Sequence, residues 1–125
     1  MLFDTDIFIW AQRGNLKAAK LINLTSERFI SLITYMEFIE GAKDKKQLQL
    51  NQSFLKSLNF QTLPLTQNIG HRAAIYVEQF ALSHSMRSAD ALIAATACEH
   101  QLPLATANAK HYRHLSDLTL QILKP

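Results

Sequence analysis

Four acids stand inside or against strongly apolar stretches of this chain. Asp4 and Asp6 lie in Leu2-Phe3-Asp4-Thr5-Asp6-Ile7, Glu37 in Tyr35-Met36-Glu37-Phe38-Ile39, and Asp90 at the head of Ala91-Leu92-Ile93-Ala94-Ala95. An ionised carboxylate drawn out of water loses hydration, and several packed together also repel one another. Such a group binds protons or recruits a hard cation. Oxygen donors with no partnering His or Cys favour magnesium or manganese over zinc. An ion of that kind activates water and stabilises charge on a phosphoryl oxygen, which is the chemistry of phosphodiester hydrolysis. Lys and Arg fall mostly in polar segments, such as 43–46 and 110–114, and the net charge is +3. A basic periphery around acids in core-forming segments suits a site that cuts a polyanion.

The acids can act together only if the elements bearing them converge. Residues 2–3 read as a short strand, 6–11 as a helix ended by Gly14, and 16–24 as a second helix. Residues 28–33 have the β-rich character of a buried strand, and 34–42 read as a helix opened by Thr34 and stopped near Gly41. Helical patterns follow over 44–59, 67–84 and 88–100, with strands expected at 60–63, 103–106 and 118–123. Alternating strands and helices imply an α/β fold, with a mostly parallel sheet of four or five strands covered on both faces. In such a sheet ligands bind beyond the carboxyl ends of the strands. Asp4, Glu37, Asp90 and Asn108 all fall at or just after a strand-to-helix passage or at a helix start.

Each residue also has a plainer role open to it. Asp4 and Asp6 suit the capping of the first helix. Thr34-Tyr35-Met36-Glu37 fits a capping box. Ser88-Ala89-Asp90 fits a cap followed by an acid that complements the helix dipole, and Asn108 fits an ordinary helix cap. At 125 residues, 48% of them apolar, the chain has the size of one domain spanning 1–125, with no repeat and no linker. The single Cys98 lies in an apolar run and reads as a buried small hydrophobe, which suits a reducing compartment. No basic-then-apolar leader opens the chain and no apolar run approaches the roughly 20 residues of a membrane helix, so a cytoplasmic location is expected.

The acids occur in four motifs that together resemble the PIN-domain ribonucleases, most closely the VapC-type toxins of toxin–antitoxin pairs. Leu2-Phe3-Asp4-Thr5-Asp6 is similar to the first motif, and Ser31-Leu32-Ile33-Thr34-Tyr35-Met36-Glu37-Phe38-Ile39-Glu40-Gly41-Ala42 to the second. Ser88-Ala89-Asp90-Ala91-Leu92-Ile93-Ala94-Ala95-Thr96-Ala97 resembles the third and is the most specific; Leu104-Ala105-Thr106-Ala107-Asn108-Ala109-Lys110-His111-Tyr112 resembles the last. The four fall in the family's order along the whole chain. The resemblance implies a three-layer α/β/α domain, a homodimer, magnesium or manganese, an RNA substrate, and a small antitoxin protein that covers the active site. It implies Asp4, Glu37 and Asp90 as metal-binding, catalytic carboxylates, and hydrolysis by in-line attack of water that leaves a 5′-phosphate and a 3′-hydroxyl.

Asp6, Thr5, Thr106 and Asn108 are the expected supporting residues, the threonines orienting ligands or water. Arg87, Lys110 and Arg113 neighbour these motifs in sequence and are the expected RNA contacts, with solvated surface charge as the other reading. His111 and His114 are expected at the surface or against RNA rather than as general bases. One departure matters: many members carry Asp at the position of Asn108, and Asn removes one negative charge. That implies one firmly held ion, with a second arriving weakly or with substrate. It also leaves open a catalytically weak PIN-like module that only binds RNA or protein. Two helices between 15 and 59 carry apolar faces beyond what one sheet covers, and a dimer or antitoxin surface is expected there.

Overall fold

A computed structural model describes all residues, 1–125. The chain runs β1 (Leu2–Phe3), α1 (Thr5–Gln12), α2 (Leu16–Leu24), β2 (Phe29–Ser31), α3 (Leu32–Glu40), α4 (Lys45–Ser57), β3 (Gln61–Leu63), α5 (Gln67–His84), α6 (Ser88–Glu99), β4 (Leu104–Thr106) and β5 (Leu120–Ile122). A short 3-10 turn at Ala109–His111 follows β4. The five strands form one sheet in the order β3-β2-β1-β4-β5, and every pairing is parallel. The sheet is thus wholly parallel, with five strands. β1 is central: the chain builds outward to β2 and β3 on one side, then crosses back to β4 and β5 on the other. The boundary between β1 and β4 is therefore the place where strand order reverses, and there the loops leaving the strands diverge to open a crevice.

Side chains alternate across the sheet because a strand has a period of two. Leu2, Phe29 and Leu104 pack into one core with Ile69, Ala73 and Tyr76 of α5 and the small face of α6. Their neighbours Phe3, Ile30 and Ala105 pack into the other core with Ile7, Phe8, Ala18, Ile22, Phe38 and Leu55. These are the three layers. Helix α6 is wedged so tightly that Ala91, Ala94, Ala95 and Ala97 are all fully buried; alanines there allow close approach to α5 and the sheet. The opposite core is aromatic. Phe8 sits among Phe3, Phe38, Phe54 and Phe60, with ring centroids 4.9–6.4 Å away. Phe8→Ala is expected to cost about 3–5 kcal/mol, the usual range for deleting a buried phenyl ring. Urea unfolding measures it, and a loss under 1 kcal/mol would contradict this packing.

Helix α3 begins earlier than its sequence predicts. Ser31, the last residue of β2, caps it by accepting from the Ile33 amide at 3.3 Å, so no loop separates strand from helix. Leu32 and Ile33 look like strand because they are apolar and adjacent, yet they form the first helical turn. Thr34 is therefore no cap: it is fully buried with its hydroxyl unpaired. Ser88 is likewise not a cap, because α6 starts from Arg87 and no side chain caps it. Cys98 is half-buried rather than buried, and its thiol receives the Tyr76 hydroxyl at 3.4 Å. Around it Arg72 pairs with Glu99 at 2.6 Å and Asp117 at 2.8 Å, tying α5 and α6 to the loop before β5.

Candidate active site

The carboxyl end of β1 delivers Asp4 into α1. Its Oδ1 accepts from the Thr5 amide at 2.8 Å, so Asp4 does cap the helix, and it is nonetheless only 7% exposed. Its second oxygen, Oδ2, accepts from the Thr106 hydroxyl at 2.9 Å and the Tyr112 hydroxyl at 3.2 Å. The Tyr112 hydroxyl also lies 3.3 Å from Asp90 Oδ1 in the first turn of α6. One phenolic oxygen thus brings together carboxylates 86 residues apart in the chain (Asp4 and Asp90). Glu37, in the second turn of α3, joins from the far side: its Oε1 accepts from the Thr5 hydroxyl at 2.9 Å. This contact, and not a capping box, is what engages Glu37.

Asp6 completes the group. Its Oδ2 accepts from the Ala107 amide at 2.9 Å, the Asn108 side-chain amide at 3.0 Å and the Thr106 hydroxyl at 3.4 Å. Asp6 Oδ1 is buried with no partner. Asn108 caps nothing with its side chain; it ends the loop after β4 and holds Asp6. Where an Asp would add charge, Asn supplies a donor that steadies the neighbouring acid. Thr106 is fully buried and links Asp4, Asp6 and the Asn108 amide through one hydroxyl.

The electrostatics are unbalanced. No Lys or Arg pairs with any of these four acids; the only basic partner is the His111 imidazole, 3.4 Å from Asp90. Burial, reinforced by the Asp6 and Asp90 charges and opposed by the Thr106 and Thr5 hydrogen bonds, raises Asp4 to about 7. Burial also raises Asp6, against the hydrogen bond from Ala107, and raises Glu37, against the one from Thr5. Burial and the Asp4 and Asp90 charges push Tyr112 far up, so it keeps its proton. That phenol has a single proton, which its two contacts with Asp4 and Asp90 share.

The donor set fits a hard divalent ion. It is all oxygen, uncompensated by cations, and includes the orphaned Asp6 Oδ1. No three His, Cys, Asp or Glu side chains form a ready-made cage. An open arrangement is what magnesium uses, since it keeps several waters and takes only one or two carboxylates. Two hollows reach the acids and a third lies beside Asn108. One of 330 Å³ is lined by Glu37, Thr5, Ile9, Arg13 and Lys43, and one of 300 Å³ by Asp90, Arg87, Lys110 and His111. The third, of 410 Å³, runs from Asn108 along Lys110, Arg113 and Lys124. Arg87 and Lys110 line the hollow beside Asp90, whereas Arg113 lines only the Asn108 hollow, which none of the four acids lines. Arg13 and Lys43 line the Glu37 hollow and carry no sequence signal, being ordinary charges in polar surroundings.

The sheet is wholly parallel, with acids gathered at its reversal point, and residues 1–116 match the profile of the PIN domain. The chain belongs to the PIN-domain family. Among solved structures it is similar to a chain of a toxin–antitoxin complex from Klebsiella pneumoniae, with 31% identity over 94% of each chain and a TM-score of 0.78. It shares its fold with VapBC2 from Rickettsia felis, bound there to a promoter DNA fragment (21% identity, 98% of each chain, TM-score 0.80). It also shares it with VapBC-1 from nontypeable Haemophilus influenzae (22% identity, 97% of this chain and 96% of that one, TM-score 0.77). A search of curated proteins finds no significant match. No helix is long and apolar enough to cross a membrane.

Tyr112 is the site residue that sequence reasoning missed. It sits in the last motif as an apolar-looking position, and only the fold turns its hydroxyl between two acids. Tyr112→Phe keeps the ring and removes that bond. Losing an outer partner of this kind typically weakens metal binding about 10- to 100-fold. Calorimetric titration with Mn²⁺ is expected to show that loss with little change in melting temperature; unaltered affinity would make Tyr112 a packing residue only.

Proposed function

We propose that this chain is a magnesium- or manganese-dependent endoribonuclease, the toxin of a toxin–antitoxin pair. One observation carries the reading: Asp4 at the head of α1 and Asp90 of α6 meet on the Tyr112 hydroxyl, Thr106 donates to Asp4 and Asp6, and Glu37 of α3 accepts from the Thr5 hydroxyl beside Asp4, with no Lys or Arg paired to any of them. Asp4, Glu37 and Asp90 are the residues that hold the ion. When bound, it supplies a nucleophile at neutral pH and charge stabilisation at the phosphoryl oxygens. Thr5 orients Glu37, Thr106 and Tyr112 orient Asp4, and Asn108 fixes Asp6. Burial of Asp4 keeps bulk water from competing for its oxygens. Arg87, Lys110 and Arg113 line the hollows on either side of Asp90 and Asn108, where they grip the flanking phosphates.

Magnesium-dependent cleavage of RNA that EDTA abolishes is the expected result. The Asn108 amide in place of an acid favours the other reading, a PIN-like module that binds RNA or protein without cutting. Binding without cleavage across a magnesium titration would decide for that module. The cations make a separate prediction. Each phosphate neutralised on a single strand adds about −0.7 to the log–log slope of affinity against salt. Lys110→Ala and Arg113→Ala are each expected to reduce that slope by about one such step, as read by fluorescence anisotropy in EDTA; unchanged slopes would remove them from the RNA path.

An antitoxin or a second copy of the chain would cover apolar surface. Leu16 and Leu24 of α2, Met36 of α3 and Leu50 of α4 are exposed within the segment where that surface is expected. Gel filtration at micromolar concentration is expected to give a dimer.

A further inference from the structure

The hollow beside Asp90 differs in kind from the other two. It is lined by His84, Met86, Arg87, Asp90, Lys110 and His111, so it offers two cations and two imidazoles on one carboxylate's flank. The Glu37 hollow has cations, but its one ring, Phe38, is buried in the aromatic core, and its amides are already engaged: Gln12 and Gln47 both donate to Asn51. The Asn108 hollow has Lys110, Arg113 and Lys124 but no aromatic ring.

An aromatic cluster borders the Asp90 hollow. His114 stacks on His84 at 4.3 Å between centroids with an interplanar angle of 23°, and Phe80 packs against both, tilted on His114 at 4.5 Å and edge-on to His84 at 5.5 Å. His114 is held from behind, its Nε2 lying 3.4 Å from the Met86 sulfur. His84 is the exposed member of the cluster. The left-handed residue Ser85 (φ 52°, ψ 34°) ends α5 and turns the chain so that His84, Met86 and Arg87 border one hollow. Arg87 then begins α6, whose first amides have no side-chain cap and so remain available to an anion.

We propose that this hollow is a subsite for one nucleotide of the RNA, adjoining the phosphate that is cut. It rests on the ribonuclease reading above and names the part of the substrate that the Asp90 side takes. The base stacks on His84, extending the His114–His84 pair, and its phosphate meets Arg87, Lys110 and the start of α6. Stacking on a ring tolerates every base, because each has a π-face. A hollow of 300 Å³ lies at the small end of ligand pockets, about 300–1,000 Å³, and suits one nucleotide rather than a run of them.

NMR titration of the full chain without metal tests this, using uridine 5′-monophosphate, adenosine 5′-monophosphate and inorganic phosphate as probes. Both nucleotides are expected to shift the amides of residues 84–90 and 110–111 together, and to bind more tightly than phosphate. His84→Ala, at an exposed position, should weaken both nucleotides about tenfold and leave phosphate unchanged, whereas Arg87→Ala should weaken all three probes. Phosphate binding as tightly as the nucleotides, shifts confined to another hollow, or nucleotide affinity untouched by His84→Ala would each overturn the subsite. Because the titration needs no metal and no turnover, it separates the two readings. A chain that binds nucleotides here but never cleaves RNA would keep the subsite and lose the nuclease; a chain that cleaves without these shifts would do the reverse.

Discussion

Asp4→Asn is expected to abolish RNA cleavage and, at the same time, to stabilise the metal-free chain above neutral pH. The Asp4 carboxyl is raised to about 7 in the folded chain, whereas in an unfolded chain it titrates near 3.9. The folded state therefore binds that proton more tightly than the unfolded state does. The resulting stabilisation is fully present below about pH 4 and is lost as pH rises through about 7, on the order of a few kcal/mol. Asp6 and Glu37 are raised too, so their contributions have the same sign. Asn carries no charge to desolvate, and the difference between variant and wild type should grow with pH over this window. Part of the gain is offset, because an amide cannot accept all the hydrogen bonds that the carboxylate takes from Thr5, Thr106 and Tyr112; each lost bond costs about 1 kcal/mol. Urea unfolding in EDTA at pH 5 and pH 8 measures the difference. Added Mn²⁺ should restore the wild type at pH 8 and do far less for the variant. Wild-type stability that does not fall relative to the variant between these pH values would contradict an uncompensated buried carboxylate.

Asp90→Asn should behave differently. Asp90 lies in the first turn of α6 and its side chain is 23% exposed, so exchanging its charge leaves the core untouched. The fold, judged by circular dichroism and melting temperature, is expected to survive. Cleavage should fall by roughly three orders of magnitude, the upper end of what one preorganised charge-stabilising group contributes. Activity within tenfold of wild type would take Asp90 out of the chemistry.

The sequence carried most of this fold and the identity of its acids, for definite physical reasons. Strong helical periodicity places α2 and α5, and acids in apolar surroundings flag Asp4, Asp6, Glu37 and Asp90 without any structure. The local pattern misleads where two elements meet without a loop. Ser31 both ends β2 and starts α3, so Leu32 and Ile33 look like strand and Thr34 looks like a cap. It is silent where a contact spans the chain. The Thr5–Glu37 and Tyr112–Asp4 bonds depend on β1 lying between β2 and β4, an order that no local pattern encodes. His84 and His114 illustrate the same limit: thirty residues apart, they stack only because α5 and the turn after β4 meet at one edge.

In the proposed function Asp4, Glu37 and Asp90 share one hard divalent ion. Anomalous diffraction from crystals soaked in Mn²⁺ measures this most directly. The expected result is one strong peak within coordination distance of Asp4 and Asp90, with Glu37 reaching it directly or through water. Its loss is expected in crystals of Asp90→Asn. A peak remote from Asp4, or none at millimolar Mn²⁺, would contradict the account.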